Sequence, residues 1–171
     1  DLIVSRGLGD VYKRQDIIRG ELRKFIFSEK TEVLPKPLIL DANENMVEIG
    51  YDEDVLIINF WATWCAPCKK EMPSLNSLAQ NMKYEDIQII TIASGRNSRE
   101  AIDGFFDDNN LVNLKKYRDP RGRIAVKYGV TALPTTVVIN PMGLEIGRII
   151  GDIDWDTADV RSFFKKLLET K

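Results

Sequence analysis

Short apolar runs alternate with amphipathic stretches along the chain, and that alternation predicts its elements. Val55 to Phe60 is an apolar run of strand length, which predicts a buried central strand. Met72, Leu75, Leu78, Ala79 and Met82 follow at helical spacing, so strand leads directly into helix. Ile87 to Ala93 predicts the next buried strand, and Asn97 with Glu100 three residues later offers a capping box for a helix carrying Ala101, Ile102, Phe105 and Phe106. After Asp119-Pro120 a short helix, Ile124 to Tyr128, runs to Gly129. Thr135 to Ile139 then forms a strand that turns at Asn140-Pro141-Met142-Gly143 into Glu145 to Ile150, an antiparallel hairpin. Asp156 caps a last helix whose Val160, Phe163, Phe164, Leu167 and Leu168 share one face.

The start of the chain divides differently. Residues 1–15 hold the run Val4 to Gln15, which looks like the translated read-through of a sequencing adaptor; a disordered arm is the alternative, and either way an export signal or membrane anchor could have been lost upstream. Residues 16–34 form an N-terminal helical segment, because Ile17, Ile18, Leu22, Phe25 and Ile26 are spaced for a short amphipathic helix despite Gly20. Residues 35–171 form the main domain. It opens with Pro35 and Pro37 and an N-terminal hairpin, Leu38 to Leu40 and Met46 to Ile49, around the turn-forming Asp41 to Asn45.

The totals narrow the chemistry. A length of 171 residues suits one domain, which commonly holds about 100 to 200. The 24 basic and 26 acidic side chains leave a net charge of -2, so no global field favours nucleic acid or anionic lipid, although small patches remain open. No stretch approaches the roughly 18 apolar residues of a membrane helix. The absence of histidine removes imidazole metal sites and Ser/His or Cys/His nucleophile pairs, leaving thiols and carboxylates.

Both cysteines lie in Cys65-Ala66-Pro67-Cys68, after a buried strand and at the opening of a helix. Cysteines three apart on a first helical turn bring their α-carbons within disulfide reach, so the pair can cycle between dithiol and disulfide. The helix N-terminus favours a thiolate, which makes Cys65 the nucleophile and Cys68 the thiol that resolves a mixed disulfide. A structural disulfide, two inert thiols and half of a zinc site are the competing readings. No cofactor and no metal is expected.

The segment Asn59-Phe60-Trp61-Ala62-Thr63-Trp64-Cys65-Ala66-Pro67-Cys68-Lys69-Lys70-Glu71-Met72-Pro73 resembles the active-site region of the TlpA/ResA/DsbE-like thioredoxin family. The likeness extends to Tyr128 through Thr136, similar to that family's cis-proline loop, and to Gly143 through Trp155. It implies an α/β thioredoxin fold: a central mixed β-sheet flanked by helices, with an N-terminal β-hairpin extension. It also implies a cis peptide at Leu133-Pro134, a substrate surface made of Trp64, Ala66, Pro67, Leu133 and Pro134, and Glu71 as a proton-handling partner of the cysteines; a solvated Glu71 is the alternative.

The implied function is reduction of protein disulfides in apocytochrome c or oxidase assembly factors, by a monomeric protein in the bacterial periplasm. A membrane electron donor and an N-terminal tether upstream of this chain go with it, and no nucleic acid does. Two departures stand out: Glu44-Asn45 and Asp52-Glu53-Asp54 occupy turns where the family usually has glycine or Gly-Lys. The rival functions are a peroxiredoxin-like peroxide reductase and a copper-handling thiol chaperone. Ala66-Pro67 puts no histidine between the cysteines, which favours a reductant over an oxidant.

Overall fold

A computed structural model describes residues 17–169. The arm at residues 1–15 and the first residue of the 16–34 segment therefore lie outside the described residues. The centre of the fold is β4 (Val55–Trp61), whose seven residues are all buried. Each apolar side chain sealed there contributes roughly 1.5–3 kcal/mol relative to exposure, which makes this strand the main anchor of the core.

On one side β4 pairs in parallel with β5 (Ile87–Ser94), which pairs in parallel with β6 (Lys115–Asp119). On the other it pairs antiparallel with β7 (Thr135–Ile139), followed by β8 (Glu145–Ile150). The hairpin of β2 (Leu38–Leu40) and β3 (Met46–Glu48) extends the sheet beyond β6, and β1 (Phe25–Phe27) lies beyond β8 at the other edge, so the order is β1-β8-β7-β4-β5-β6-β2-β3. The mixed sheet, its flanking helices and the hairpin extension are those expected from the sequence.

Alternate residues of β4 serve different layers, as strand periodicity requires. Val55, Ile57 and Trp61 join the core built with α1 (Ala66–Asn81), α2 (Arg99–Asp108) and α4 (Ala158–Glu169). Leu56, Ile58 and Phe60 face the second core, with α3 (Arg123–Lys127), Ile39 and Tyr51. No helix of the described residues is long and apolar enough to cross a membrane.

Four expectations change. The helix anticipated near Ile17 to Ile26 is a short 3-10 turn, Gly20–Lys24, running straight into β1 (Phe25–Phe27). Gly20 at φ 55 breaks the helical path, and the Phe-Ile-Phe triplet gains more by pairing with β8, Phe25 opposite Ile149. Gly147 sits in that register because a Cβ there would collide with the Phe25 ring and the Ile26 carbonyl. Second, β6 was not anticipated. Its Lys-Lys-Tyr-Arg-Asp sequence lacks an apolar stripe, yet it lies between β5 and β2.

Third, α2 is capped by Ser98, whose hydroxyl accepts from the Ala101 amide at 3.1 Å, and not by Asn97. Fourth, Thr157 and not Asp156 accepts from Val160 at the start of α4, while Asp156 pairs with Arg161 at 2.8 Å. The two unusual turns place non-glycine residues at positive φ: Glu44 at 63°, Asp52 at 33° and Glu53 at 64°. Each costs roughly 1–2 kcal/mol against glycine. At Glu44 the carboxylate is held by Arg118 and Arg99, which offsets that strain.

Candidate active site

The site begins where β4 ends. Cys65 is the N-cap of α1, with its amide donated to the Ala62 carbonyl at 3.1 Å and its carbonyl accepting from Lys69 at 3.1 Å. Ala66 and Pro67 form the exposed first turn, where a proline loses no helical hydrogen bond because that N–H has no partner anyway. Cys65 and Cys68 are disulfide-bonded, with α-carbons 5.3 Å apart. They are not equivalent: Cys65 keeps 7% of its surface exposed and Cys68 none.

The flanking tryptophans divide as chemistry suggests. Trp61 is fully buried, packed on Phe105 and Phe106 with ring centroids 5.4 and 5.9 Å away. Trp64 is 67% exposed beside the disulfide. Pro134 follows a cis peptide from Leu133 and immediately precedes β7, whose Thr135 pairs with Phe60. That register puts the Pro134 loop at the same end of the sheet as the cysteines. The loop is fixed by Thr135 Oγ1 donating to the Ala132 carbonyl at 2.7 Å and by Gly151 N donating to the Pro134 carbonyl at 2.8 Å.

Glu71 lies one turn after Cys68 on the buried face of α1 and is only 2% exposed, so it is not a solvated helix residue. Asn59 Nδ2 donates to its Oε1 at 2.7 Å; Trp155 Nε1 and the Ile153 amide donate to its Oε2 at 2.9 and 3.2 Å. Burial pushes its pKa up to about 7, against the lowering effect of the Trp155, Asn59 and Ile153 hydrogen bonds, and the charge of nearby Asp152 adds to the rise. No cation is among its partners in the described residues. A carboxylate in this state exchanges its proton near neutral pH.

Two polar residues of the site were not singled out in the sequence. Asn59 interrupts the apolar β4 run, faces α1, and links Glu71 to Thr136 Oγ1 at 3.0 Å. A lone amide inside an otherwise apolar strand was the available signal. Asn97, freed from capping, accepts at Oδ1 from the Thr63 amide at 2.7 Å and the Thr63 hydroxyl at 2.9 Å, tying the loop after β5 to the loop before Cys65. Lys69 is exposed, and Lys70 sits 3.6 Å from Asp152 at the surface. Among the described residues no three metal-ligating side chains converge.

The Thioredoxin-like family model matches residues 52–145, which span β4 to the start of β8. Among curated proteins the chain is 30% identical to the thiol-disulfide oxidoreductase ResA of Bacillus subtilis, over 68% of this chain and 65% of that protein. It is 32% identical to a DsbE homolog, a thiol:disulfide interchange protein of Paracoccus denitrificans, over 58% of this chain and 52% of that one. With ResA of Bacillus thuringiensis it shares 31% identity over 75% of each. The chain thus spans just under two thirds of the first relative's length and about half of the second's. Among solved structures, StoA from Bacillus subtilis superposes with a TM-score of 0.63 at 22% identity, covering 81% of this chain and 98% of that one.

Proposed function

This chain belongs to the thioredoxin-like family, and from that premise we propose that it is a thiol:disulfide oxidoreductase that reduces protein disulfides through Cys65 and Cys68. The observation that carries the reading is the asymmetric cysteine pair, Cys65 with 7% of its surface exposed and Cys68 fully sealed, set at the helix that carries a buried Glu71 with no counter-ion among the described residues.

In the reduced protein the Cys65 thiolate, favoured by the open amides of the α1 N-terminus, attacks a substrate sulfur. One substrate thiolate leaves, and a Cys65–substrate disulfide forms. Cys68 then loses its proton and attacks Cys65 Sγ, releasing the second substrate thiol and closing the Cys65–Cys68 disulfide; two electrons pass from the protein to the substrate. Glu71 is the base that takes the Cys68 proton, because its pKa of about 7 keeps a share of it ionised at neutral pH. Trp64, Ala66, Pro67, Leu133 and Pro134 form the surface that the substrate backbone meets, in the strand-addition manner of an extended peptide.

The substrate class is extended, disulfide-bonded polypeptide, with apocytochrome c or an oxidase assembly factor as the specific case and a membrane electron donor to restore the dithiol. The compartment is extracytoplasmic. Support comes from the relatives' names as interchange proteins and from Ala66-Pro67, which supplies no histidine to stabilise a strongly oxidising thiolate.

Trapping tests this directly. Cys68→Ser should accumulate a mixed disulfide with an oxidised apocytochrome c peptide through Cys65, and Cys65→Ser should form none. Alkylation of the reduced protein at neutral pH should label Cys65 first. Labelling confined to Cys68, or no mixed disulfide in either variant, would overturn the assignment.

A further inference from the structure

One rim of the sheet collects the ends of five strands. In strand order it runs from Asp152 and Asp154 after β8, past Pro134 before β7 and the cysteines after β4, to Arg96 after β5 and Arg121 and Arg123 after β6. Strands lie about 4.8 Å apart, so the rim changes sign of charge over about 20 Å, with the disulfide near its middle.

The basic half is free to act. Arg96, Arg121 and Arg123 are exposed, and among the described residues none has an ion pair or hydrogen-bond partner from its side chain. The acids on the same segments do not neutralise them: Asp119 is buried and accepts from the Ile124 amide at 2.8 Å, and Glu100 alone is exposed. By contrast Asp152 on the acidic half is already engaged by Lys70 at 3.6 Å.

The basic loops are also held in place against the cysteine loop. Gly95 N donates to the Asp119 carbonyl at 2.9 Å and Gly122 N to the same carbonyl at 3.0 Å, joining the two arginine-bearing loops. Asn97 carries that unit to Thr63, two residues before Cys65, and Arg118 Nη1 donates to the Asn97 carbonyl at 3.3 Å. The backbone positions of the three arginines relative to Cys65 are therefore fixed, although the side chains themselves remain solvated.

We infer that this half-rim is a docking surface for an acidic polypeptide segment, which selects substrates carrying Asp or Glu about one to three extended residues from the reactive cysteine. The span follows from geometry. Arg96 lies one strand and the other two arginines two strands from β4, and an extended chain advances about 3.3 Å per residue. Rim charges of this kind act through encounter rate and specificity, because they remain hydrated. The inference rests on the oxidoreductase reading and deepens it by naming a substrate class.

The test uses prereduced protein in single turnover, followed by tryptophan fluorescence. Its substrates are peptides with one cysteine capped by 2-mercaptoethanol as a neutral mixed disulfide. Flanking positions are acidic, glutamine or lysine. At low ionic strength the acidic peptide should react about tenfold faster than the glutamine peptide. That advantage should vanish near about 0.5 M salt, where screening shortens the reach of surface charge.

Replacing all three residues, Arg96→Gln, Arg121→Gln and Arg123→Gln, should bring the ratio close to one; the corresponding Glu substitutions should invert it toward the lysine peptide, which also shows that the variant folds. A wild-type ratio of one, or a ratio unchanged in both variants, would overturn the inference. So would arginine-dependent binding to phosphatidylglycerol vesicles with no peptide preference, which would make the patch a membrane-facing surface. If the wild type reduces none of the peptides, the thiol exchange reading itself fails, and the substrate class falls with it.

Discussion

Two glutamates are buried among the described residues, and they are treated in opposite ways. Glu145, on β8, has a side chain 2% exposed, bound by Arg148 Nε at 2.6 Å and Nη2 at 2.8 Å and approached by Lys30 at 3.4 Å. Burial raises its pKa, but the Arg148 hydrogen bonds and the charges of Arg148 and Lys30 outweigh that and hold it below the ordinary carboxylate value. Glu71 has three hydrogen-bond donors and, among the described residues, no cation, and burial wins. The contrast separates a carboxylate that fastens the fold from one kept ready to change its charge. Arg148 also donates to the carbonyls of Tyr128 and Gly129, so the Glu145 pair secures the start of the Pro134 loop.

The largest expected effect comes from converting Glu145 to the condition of Glu71. Arg148→Met leaves a buried carboxylate with only Lys30 nearby, and should cost about 3 kcal/mol in urea unfolding at neutral pH. If the loss were under about 0.5 kcal/mol, Glu145 would be solvated on demand and the contrast with Glu71 would lapse.

Next come the two glutamine substitutions, which should give pH slopes of opposite sign. Glu71 has a folded pKa of about 7, above its unfolded value near 4.5. The native state therefore binds the extra proton, and wild-type stability falls as pH rises from about 4.5 to about 7, by at most on the order of 3 kcal/mol. Glu71→Gln should remove that fall, gaining stability at pH 8 relative to pH 4.5. It should also slow disulfide reduction on the order of tenfold and flatten the rate profile around neutrality. Glu145 is depressed, so its stabilisation is present above the unfolded pKa and is lost as pH falls through the folded one. Glu145→Gln should thus weaken the protein by about 1–2 kcal/mol at neutral pH and by less in acid. Parallel slopes for the two variants in urea titrations from pH 4 to 8 would erase the distinction.

The smallest effect sharpens the support around Glu71. Thr136→Val deletes the second acceptor of Asn59 Nδ2 while keeping shape, and should cost about 1 kcal/mol. With Asn59 less firmly held, the neutral inflection of the rate profile should broaden or move; an unchanged profile would make Thr136 a packing residue only.

The parts of this site set by local chemistry were legible in the sequence. A CxxC between an apolar strand and a helix, a proline before Thr135, and the strands β4, β5, β7 and β8 all carry short-range signals, and the structure places them as expected. The roles of Asn59 and Asn97 were not legible, since both depend on which distant segment faces them. Asn97 had a local explanation as a cap that Ser98, one residue on, fulfils instead. The polar β6 was missed because its place is set by neighbours on both sides and not by its own pattern. At β1 the apolar spacing marked Leu22 and Phe25 correctly as buried but was assigned the wrong periodicity, and Ile26, on the opposite face of the strand, is exposed.

The pairing of β1 with β8 bears on how the chain reaches this state. Phe25 and Ile149 are brought together from opposite ends of the sequence, whereas β2–β3 and β7–β8 close over short loops. Loop-closure entropy makes such distant pairings slow and late. During synthesis β4, β5 and β6 emerge well before β8. Throughout that interval Phe25 and Phe27 have no strand beside them, and the ring contact at 5.0 Å between Phe25 and Phe163 of the last helix must also wait. Completion of the fold is therefore governed by the arrival of β8 and α4: until they are released, β1 has no partner strand and Glu71 lacks the Ile153 amide and Trp155 as donors.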